Sequence, residues 1–256
     1  MVNAVIVRGM AIGKGQPKIC VSVTGRNRVE ILNQLQGLGA SPFDIIEWRV
    51  DFFEELSDMI AIKQILLEMN SVFMDKPILF TFRSSLEGGQ KWIPSDQYRD
   101  LIYTALSSGV VDIIDVELFL GDKYVENLIM QIHRMGGKAL VSNHDFMKTP
   151  SSEKIVDRLK NMEYLGADIA KIAVMPKSKK DILELLSATV EVETRMEIPV
   201  VTMAMGELGM ITRVSGEVFN SAITFGAGMV ASAPGQMPLQ DLHTVLSVLH
   251  RHMEVQ

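Results

Sequence analysis

Cysteine is nearly missing from this chain: Cys20 is the single one in 256 residues. No intrachain disulfide can form, and a reducing, cytoplasmic setting is expected. Cys20 lies in the apolar run Lys18-Ile-Cys-Val-Ser-Val23 and reads as a small core side chain rather than a nucleophile. A basic surplus is also lacking. A net charge of −6 disfavours neutralising a phosphate backbone, which needs a basic surface, so no nucleic-acid partner is expected. That balance leaves room for an anionic small molecule, because a few arginines in a cleft dominate the field there. No stretch approaches the ~20 apolar residues of a membrane helix, so no membrane partner is expected. The stretch Met1-Val-Asn-Ala-Val-Ile-Val-Arg8 lacks the basic start and long apolar core of a secretion signal. It alternates instead and, with Gly13-Lys-Gly15 as a turn, reads as a short N-terminal β-hairpin. The three-glycine dinucleotide fingerprint is missing: Val21-Ser-Val-Thr-Gly-Arg-Asn-Arg28 offers one glycine. Metal-ligand clusters are missing too. The five histidines are scattered, and His243, His250 and His252 read as surface residues of a tail helix, so no metal is expected.

What is present is an alternation of short β-rich runs with longer amphipathic stretches. The runs are Lys18–Val23, Ile45–Val50, Ile78–Phe82, Ile113–Leu118, Ala139–Asn143, Ile169–Val174, Val200–Met205 and Ser221–Phe225. Between them fall helical stretches such as Ile60–Met69, Tyr98–Ser107, Tyr124–Met135, Glu153–Leu165 and Lys180–Glu193. Alternation at these lengths argues for βαβ units and a parallel sheet. Thr149-Pro150 reads as a helix start, a capping hydroxyl before a proline at the first helical position. Eight strands and a 47% hydrophobic composition favour one α/β domain over residues 1–256, a (β/α)8 TIM barrel rather than an open doubly wound sheet. The Gly/Ala/Pro-rich segment 227–238 follows the last strand and reads as a mobile loop.

Several strands carry charge on one face, mostly toward their C-terminal ends, where barrel enzymes keep their chemistry. Glu47, Arg49 and Asp51 share one face, as do Thr81 and Arg83, Asp115 and Glu117, and Ser142 and His144. A solvated sheet face would show the same pattern, but helical connections imply a sheet covered by helices. Lys171 stands in Ala167-Asp-Ile-Ala-Lys-Ile-Ala-Val174, an otherwise apolar strand. Taken alone it reads as a snorkelling or ion-paired lysine; desolvated beside other cations, it becomes a nucleophile toward carbonyls. His144 ends the preceding strand and offers a proton shuttle at the same rim, with Glu87 in reach to orient it.

These motifs, in order and with fitting spacings, resemble type I 3-dehydroquinate dehydratases from end to end. The matching stretches are Pro17-Lys-Ile-Cys20, Glu47-Trp-Arg-Val-Asp51, Phe80-Thr-Phe-Arg-Ser84 with Glu87-Gly-Gly89, and Ser142-Asn-His-Asp-Phe146. Ala170-Lys-Ile-Ala173, Gly216-Glu-Val-Phe219 and Ser232-Ala-Pro-Gly-Gln236 complete the set. The resemblance implies that Lys171 forms a Schiff base with 3-dehydroquinate, that His144 is the general acid and base, and that Glu87 is its acidic partner. It further implies that Glu47, Arg49 and Arg83 hold ring hydroxyls, that Arg213 pairs with the substrate carboxylate, and that Ser232 and Gln236 belong to a lid at 228–237. Ser22 matches a minor pocket residue. Thr212 departs from the family pattern, which has serine before the arginine. No metal or organic cofactor is implied, because the lysine supplies the electrophile, and a homodimer is. Two other readings share the strand-borne lysine or the barrel: a Schiff-base aldolase, and a non-catalytic barrel that binds anionic metabolites. Barrels in general can hold a phosphate site near positions such as Gly226 and Gly228, but two glycines argue for one only weakly.

Overall fold

The computed structural model describes residues 2–253. Strands β1 (Val5–Val7) and β2 (Met10–Ile12) form the N-terminal hairpin. The turn is not Gly13-Lys-Gly15. Arg8 and Gly9 make it, both at positive φ (45° and 79°), a two-residue turn whose twist suits a hairpin. Arg8 is held there by its guanidinium, each of whose three nitrogens donates, to Asp112, Met74 O and Val110 O, at 2.8–3.0 Å.

Eight further strands follow: β3 (Lys18–Val23), β4 (Ile45–Arg49), β5 (Ile78–Thr81), β6 (Ile113–Glu117), β7 (Lys138–Asp145), β8 (Ile169–Val174), β9 (Val200–Ala204) and β10 (Ile223–Gly226). All neighbours pair in parallel, in the order β10-β3-β4-β5-β6-β7-β8-β9. The last seam, β9 to β10, is a single bridge between Val200 and Ser221. There the Ser221 hydroxyl stands in for the ladder, accepting from Thr202 N at 3.0 Å and donating to Thr202 O at 3.1 Å. The last strand therefore starts two residues later than the sequence pattern indicates. The result is the (β/α)8 barrel.

Helices α1 (Arg28–Leu38), α2 (Met59–Val72), α3 (Ser95–Leu106), α4 (Asp122–Arg134), α5 (Ser152–Tyr164) and α6 (Lys179–Glu193) sheathe it, followed by short α7 (Met210–Val214) and α8 (Gly216–Phe219) and then α9 (Leu239–Met253). The outward strand residues, among them Ile46, Trp48, Phe80, Val116, Val141 and Ile172, pack with the helices into one core. Helix α5 corrects one expectation: Ser151, not Thr149, is its N-cap, and the Thr149 hydroxyl is buried without a partner. In α9, His250 is half-buried and its Nδ1 lies 2.6 Å from Glu217 Oε1, so it is not the surface residue expected.

The barrel's lower end is closed by apolar side chains. Val5, Val7 and Ile12 of the hairpin pack against Cys20, Ile45, Leu79, Ile113, Leu140 and Ile169 inside the barrel. Three aspartates brace this rim. Asp44, Asp112 and Asp168 each stand one residue ahead of a strand, and each accepts from a backbone N–H of the strand before it (Ile19, Ile78, Ala139) at 2.8 Å.

Candidate active site

Two residues along a strand return to the same face. Two residues above the apolar layer of Cys20, Ile45, Leu79, Ile113, Leu140 and Ile169 therefore stand Ser22, Glu47, Thr81, Asp115, Ser142 and Lys171. All six are buried. One step higher are Arg49, Arg83, Glu117 and His144, at the C-terminal mouth. Asp51 departs from the expected strand face: it lies in the single turn after β4, where it holds Arg49 bidentately at 2.8 and 3.0 Å.

The buried carboxylates are matched one by one. Glu47 accepts from Ser22 Oγ at 2.5 Å and Thr81 Oγ1 at 2.8 Å. Arg83 donates to Asp115 at 2.7 Å and to Glu117 and Ser142 at 3.0 Å. Burial works against the charge of Arg83, and Asp115, Glu117 and Glu87 more than offset it. Lys171 is 4% exposed, with Nζ 3.9 Å from Asp115 Oδ2 and 4.2 Å from the Phe225 ring centroid. Its pKa is lowered by burial, with Arg83 acting in the same direction against Glu47 and Asp115. A buried amine with a depressed pKa and one long contact to an anion is a nucleophile in waiting.

His144 leans on Glu87, which sits in the turn Ser85–Glu87 after β5. Glu87 Oε2 lies 3.0 Å from His144 Nδ1 and accepts from His144 N at 2.9 Å. Against a carboxylate oxygen Nδ1 carries the proton, so Nε2 presents its lone pair. Burial pushes the Glu87 carboxyl up to about 7. Burial, then Arg83, Lys171 and Arg49, hold His144 well below its usual value, which keeps the imidazole neutral, with Nε2 free of a proton.

Arg213, on α7, is 1% exposed, and burial lowers its pKa to about 10. Its polar partners are neutral: Pro234 O at 3.0 Å, Phe225 O at 3.4 Å and, weakly, Met203 Sδ. Its Nε has no partner, and among the described residues no carboxylate pairs with it. A buried cation without an anion is costly, and it marks where an anion belongs. Thr212 takes the position where the family pattern has serine, and its hydroxyl bridges Ala204 N and Gly209 O at 2.9 and 2.7 Å. Either residue type makes that bridge.

The segment after β10 lies across the mouth. Gly206 N donates to Pro234 O at 3.1 Å, and a Cβ on Gly235 (φ 76°) would meet Gly206 O at 2.3 Å. Ser232 Oγ donates to Ser22 Oγ at 2.9 Å, and Gln236 Nε2 donates to Ser232 Oγ at 3.0 Å. Beneath is a cavity of about 230 Å³. Glu47, Arg49, Arg83, Glu87, His144, Lys171, Arg213, Ser232 and Gln236 all border it. Ser22 does not; it ties Glu47 to Ser232 from behind. The cavity is completed by Phe146 and Ala233, which the matching stretches contain without a role, and by Met203, Met205 and Phe225, which lie outside those stretches. Apolar side chains carry no chemical signature in a sequence, although Met203 and Phe225 continue the same two-residue step up β9 and β10. Gly226 and Gly228 stand off the cavity, and added Cβ atoms there would press on Leu239 and Leu38 at 2.7 and 3.0 Å. Their lack of a side chain serves packing.

The family model for type I 3-dehydroquinase matches residues 19–253. The chain is 46% identical over 252 residues to a 3-dehydroquinate dehydratase of Clostridioides difficile (strain 630), covering 98% of this chain and 99% of that protein. It is 46% identical to one of Salmonella typhimurium (strain LT2) over 250 residues, 97% and 99% of the two chains. A solved type I 3-dehydroquinate dehydratase from Clostridium difficile, with covalently modified comenic acid, superposes with a TM-score of 0.95 at 46% identity, covering 98% of this chain and 100% of that one. The Geobacillus kaustophilus HTA426 structure gives 0.95 at 39%, covering 98% and 97%. A 3-hexulose-6-phosphate synthase, at 15% identity and a TM-score of 0.59 over 90% of this chain and 98% of that one, shares the fold alone.

Proposed function

The chain belongs to the type I 3-dehydroquinase family, and from that premise we propose how its residues divide the work. Its reaction is the dehydration of 3-dehydroquinate to 3-dehydroshikimate, a hydro-lyase step of the shikimate pathway. The site roles rest on one observation above all: a buried Lys171 and a buried, anion-free Arg213 border the same cavity.

Arg213 receives the substrate carboxylate as a bidentate pair. Lys171 borders the same cavity, and its neutral amine attacks the ring ketone. His144 passes protons as the carbinolamine loses water to become a protonated imine. The imine withdraws electrons and acidifies the neighbouring C–H. His144 Nε2 takes that proton, the electron pair moves into the ring, and the hydroxyl one carbon further leaves as water with a proton from His144. A second water hydrolyses the imine and frees Lys171. The Clostridium difficile relative was solved with covalently modified comenic acid, in keeping with a nucleophilic residue in the family. Glu47, Arg49 and Arg83 hold ring hydroxyls, and each is already fixed by a neighbour, so their geometry costs little on binding. Ser232 and Gln236 close over the ring from the lid.

The same resemblance supports a single catalytic domain, a cytoplasmic setting and a homodimer. Exposed Leu183 and Val190 on α6, with Leu208 and Ile211 beside them, supply an apolar face in support of the dimer. Sedimentation would test that: a monomer at micromolar concentration contradicts it. The roles are tested by turnover of 3-dehydroquinate. Lys171→Met is expected to lose activity while still binding product, and a variant with near wild-type turnover rules Lys171 out.

A further inference from the structure

The face of β7 that points away from the barrel axis meets the helices and is apolar, as Ala139 and Val141 are. Asn143 breaks that rule: it lies on the same face and is 2% exposed. A buried amide in an apolar layer is unfavourable unless each end is bonded. Both ends are. Nδ2 donates to Glu87 Oε1 at 3.1 Å, and Oδ1 accepts from Arg158 Nη1 at 2.8 Å. Arg158 belongs to α5 and is half-buried, and its guanidinium lies over the Phe119 ring at 5.2 Å. A guanidinium can only donate, so Arg158 dictates which end of the amide faces Glu87. With Oε1 taken by Asn143, Oε2 is left for His144 N and Nδ1.

We propose that Arg158 and Asn143 are positioning residues for the dehydration: a brace from α5 through β7 that fixes the Glu87 carboxylate on which His144 turns. The inference rests on the reading of His144 given above and adds two residues that lie outside the substrate cavity. The groups facing Glu87 are Arg83 from its own segment, Asp115 and Glu117 from β6, and Asn143 and His144 from β7, with Arg158 behind Asn143. Arg83 and the Asn143 hydrogen bond favour the carboxylate, and Glu117 and Asp115 oppose it. Without the Asn143 donor the carboxyl holds its proton to higher pH, so the acidic limb of kcat/KM must move up. Arg158 works only through Asn143, so its effect must disappear once Asn143 is gone.

The test is the pH profile of kcat/KM for Asn143→Ala, Arg158→Met, Arg158→Lys and the Asn143→Ala/Arg158→Met double variant. Asn143→Ala is expected to shift the acidic limb up by roughly one pH unit, what one hydrogen bond to a charged group is worth. Its kcat falls about tenfold, a fraction of what a whole proton-transfer group contributes, with KM nearly unchanged. Arg158→Met shifts the limb the same way by less, Arg158→Lys restores it, and the double variant matches Asn143→Ala. Borohydride trapping of substrate on Lys171 persists in all four. An unmoved limb in folded Asn143→Ala overturns the proposal, as does an Arg158→Met loss that persists in the Asn143→Ala background. If Asn143→Ala does not fold, Arg158→Met on the half-buried helix face decides alone, and an unmoved limb there overturns the proposal. Normal turnover by His144→Ala would instead sink the underlying reading of the site.

Discussion

Arg213 Nη2 donates to the Pro234 carbonyl at 3.0 Å. In the proposed mechanism, a buried guanidinium that bonds to this peptide rather than to an acid would couple anion recognition to closure. Arg213→Ala should raise KM strongly. Breaking one side of a buried charge pair typically costs about 2–5 kcal/mol, so kcat/KM should fall by more than about tenfold. Steady-state kinetics with 3-dehydroquinate check this, and a KM near wild type would move the carboxylate elsewhere.

The lid at 228–237 should become more protected when product binds, because lids of this kind complete a site and exclude water. Hydrogen exchange across the segment is the measurement, and unchanged exchange at saturation argues against closure. Gly235→Ala tests the latch directly. A Cβ there would meet Gly206 O at 2.3 Å, at a φ of 76°, so the variant should raise KM while leaving the thermal transition nearly unmoved.

Glu87 gives the pH dependence its sign. Its carboxyl is pushed up to about 7, and the ionised form is the one that accepts from His144 Nδ1. Activity should therefore hold above that pH and fall below it as the carboxylate is protonated. His144 titrates well below its usual value, so the limb near 7 belongs to Glu87. Glu87→Gln should lower the plateau and remove that limb. A limb that persists near 7 in Glu87→Gln would assign it to another group.

At the far end of the barrel, Asp112 accepts from Ile78 N at 2.8 Å and Arg8 Nε at 3.0 Å. Asp112→Ala leaves a buried strand N–H unpaired, a loss of about 1–3 kcal/mol. Chemical denaturation should show that loss with kcat unchanged. A kcat that falls in parallel would mean the lower rim is coupled to the site.

The barrel and the charged inward faces are legible in the sequence, because strand alternation and side-chain chemistry are both written there; Arg213, Ser232 and Gln236 come only from the family resemblance. Glu47, Arg83, His144 and Lys171 show themselves as polar residues in apolar runs. Other features are not written locally. The hairpin turn falls at Arg8-Gly9 because Arg8 finds partners at Met74, Val110 and Asp112, far along the chain. Thr149 looks like a cap, yet Ser151 holds the position. Asn143 looks like a neighbour of His144, and its outward turn toward Arg158 depends on the packing of α5. Met203, Met205 and Phe225 carry no mark that separates a cavity wall from a core.

If Lys171 forms the bond and His144 moves the protons, intact mass and peptide mapping after incubation with 3-dehydroquinate and borohydride will separate the two roles. Added ligand mass is expected on the Lys171 peptide of the wild-type protein. His144→Ala should keep some adduct while losing most turnover, since proton transfer contributes roughly 10²–10⁴-fold. Lys171→Ala should show neither adduct nor turnover. Adduct on another lysine, such as Lys148 or Lys177, or normal turnover by His144→Ala, would contradict that division of roles.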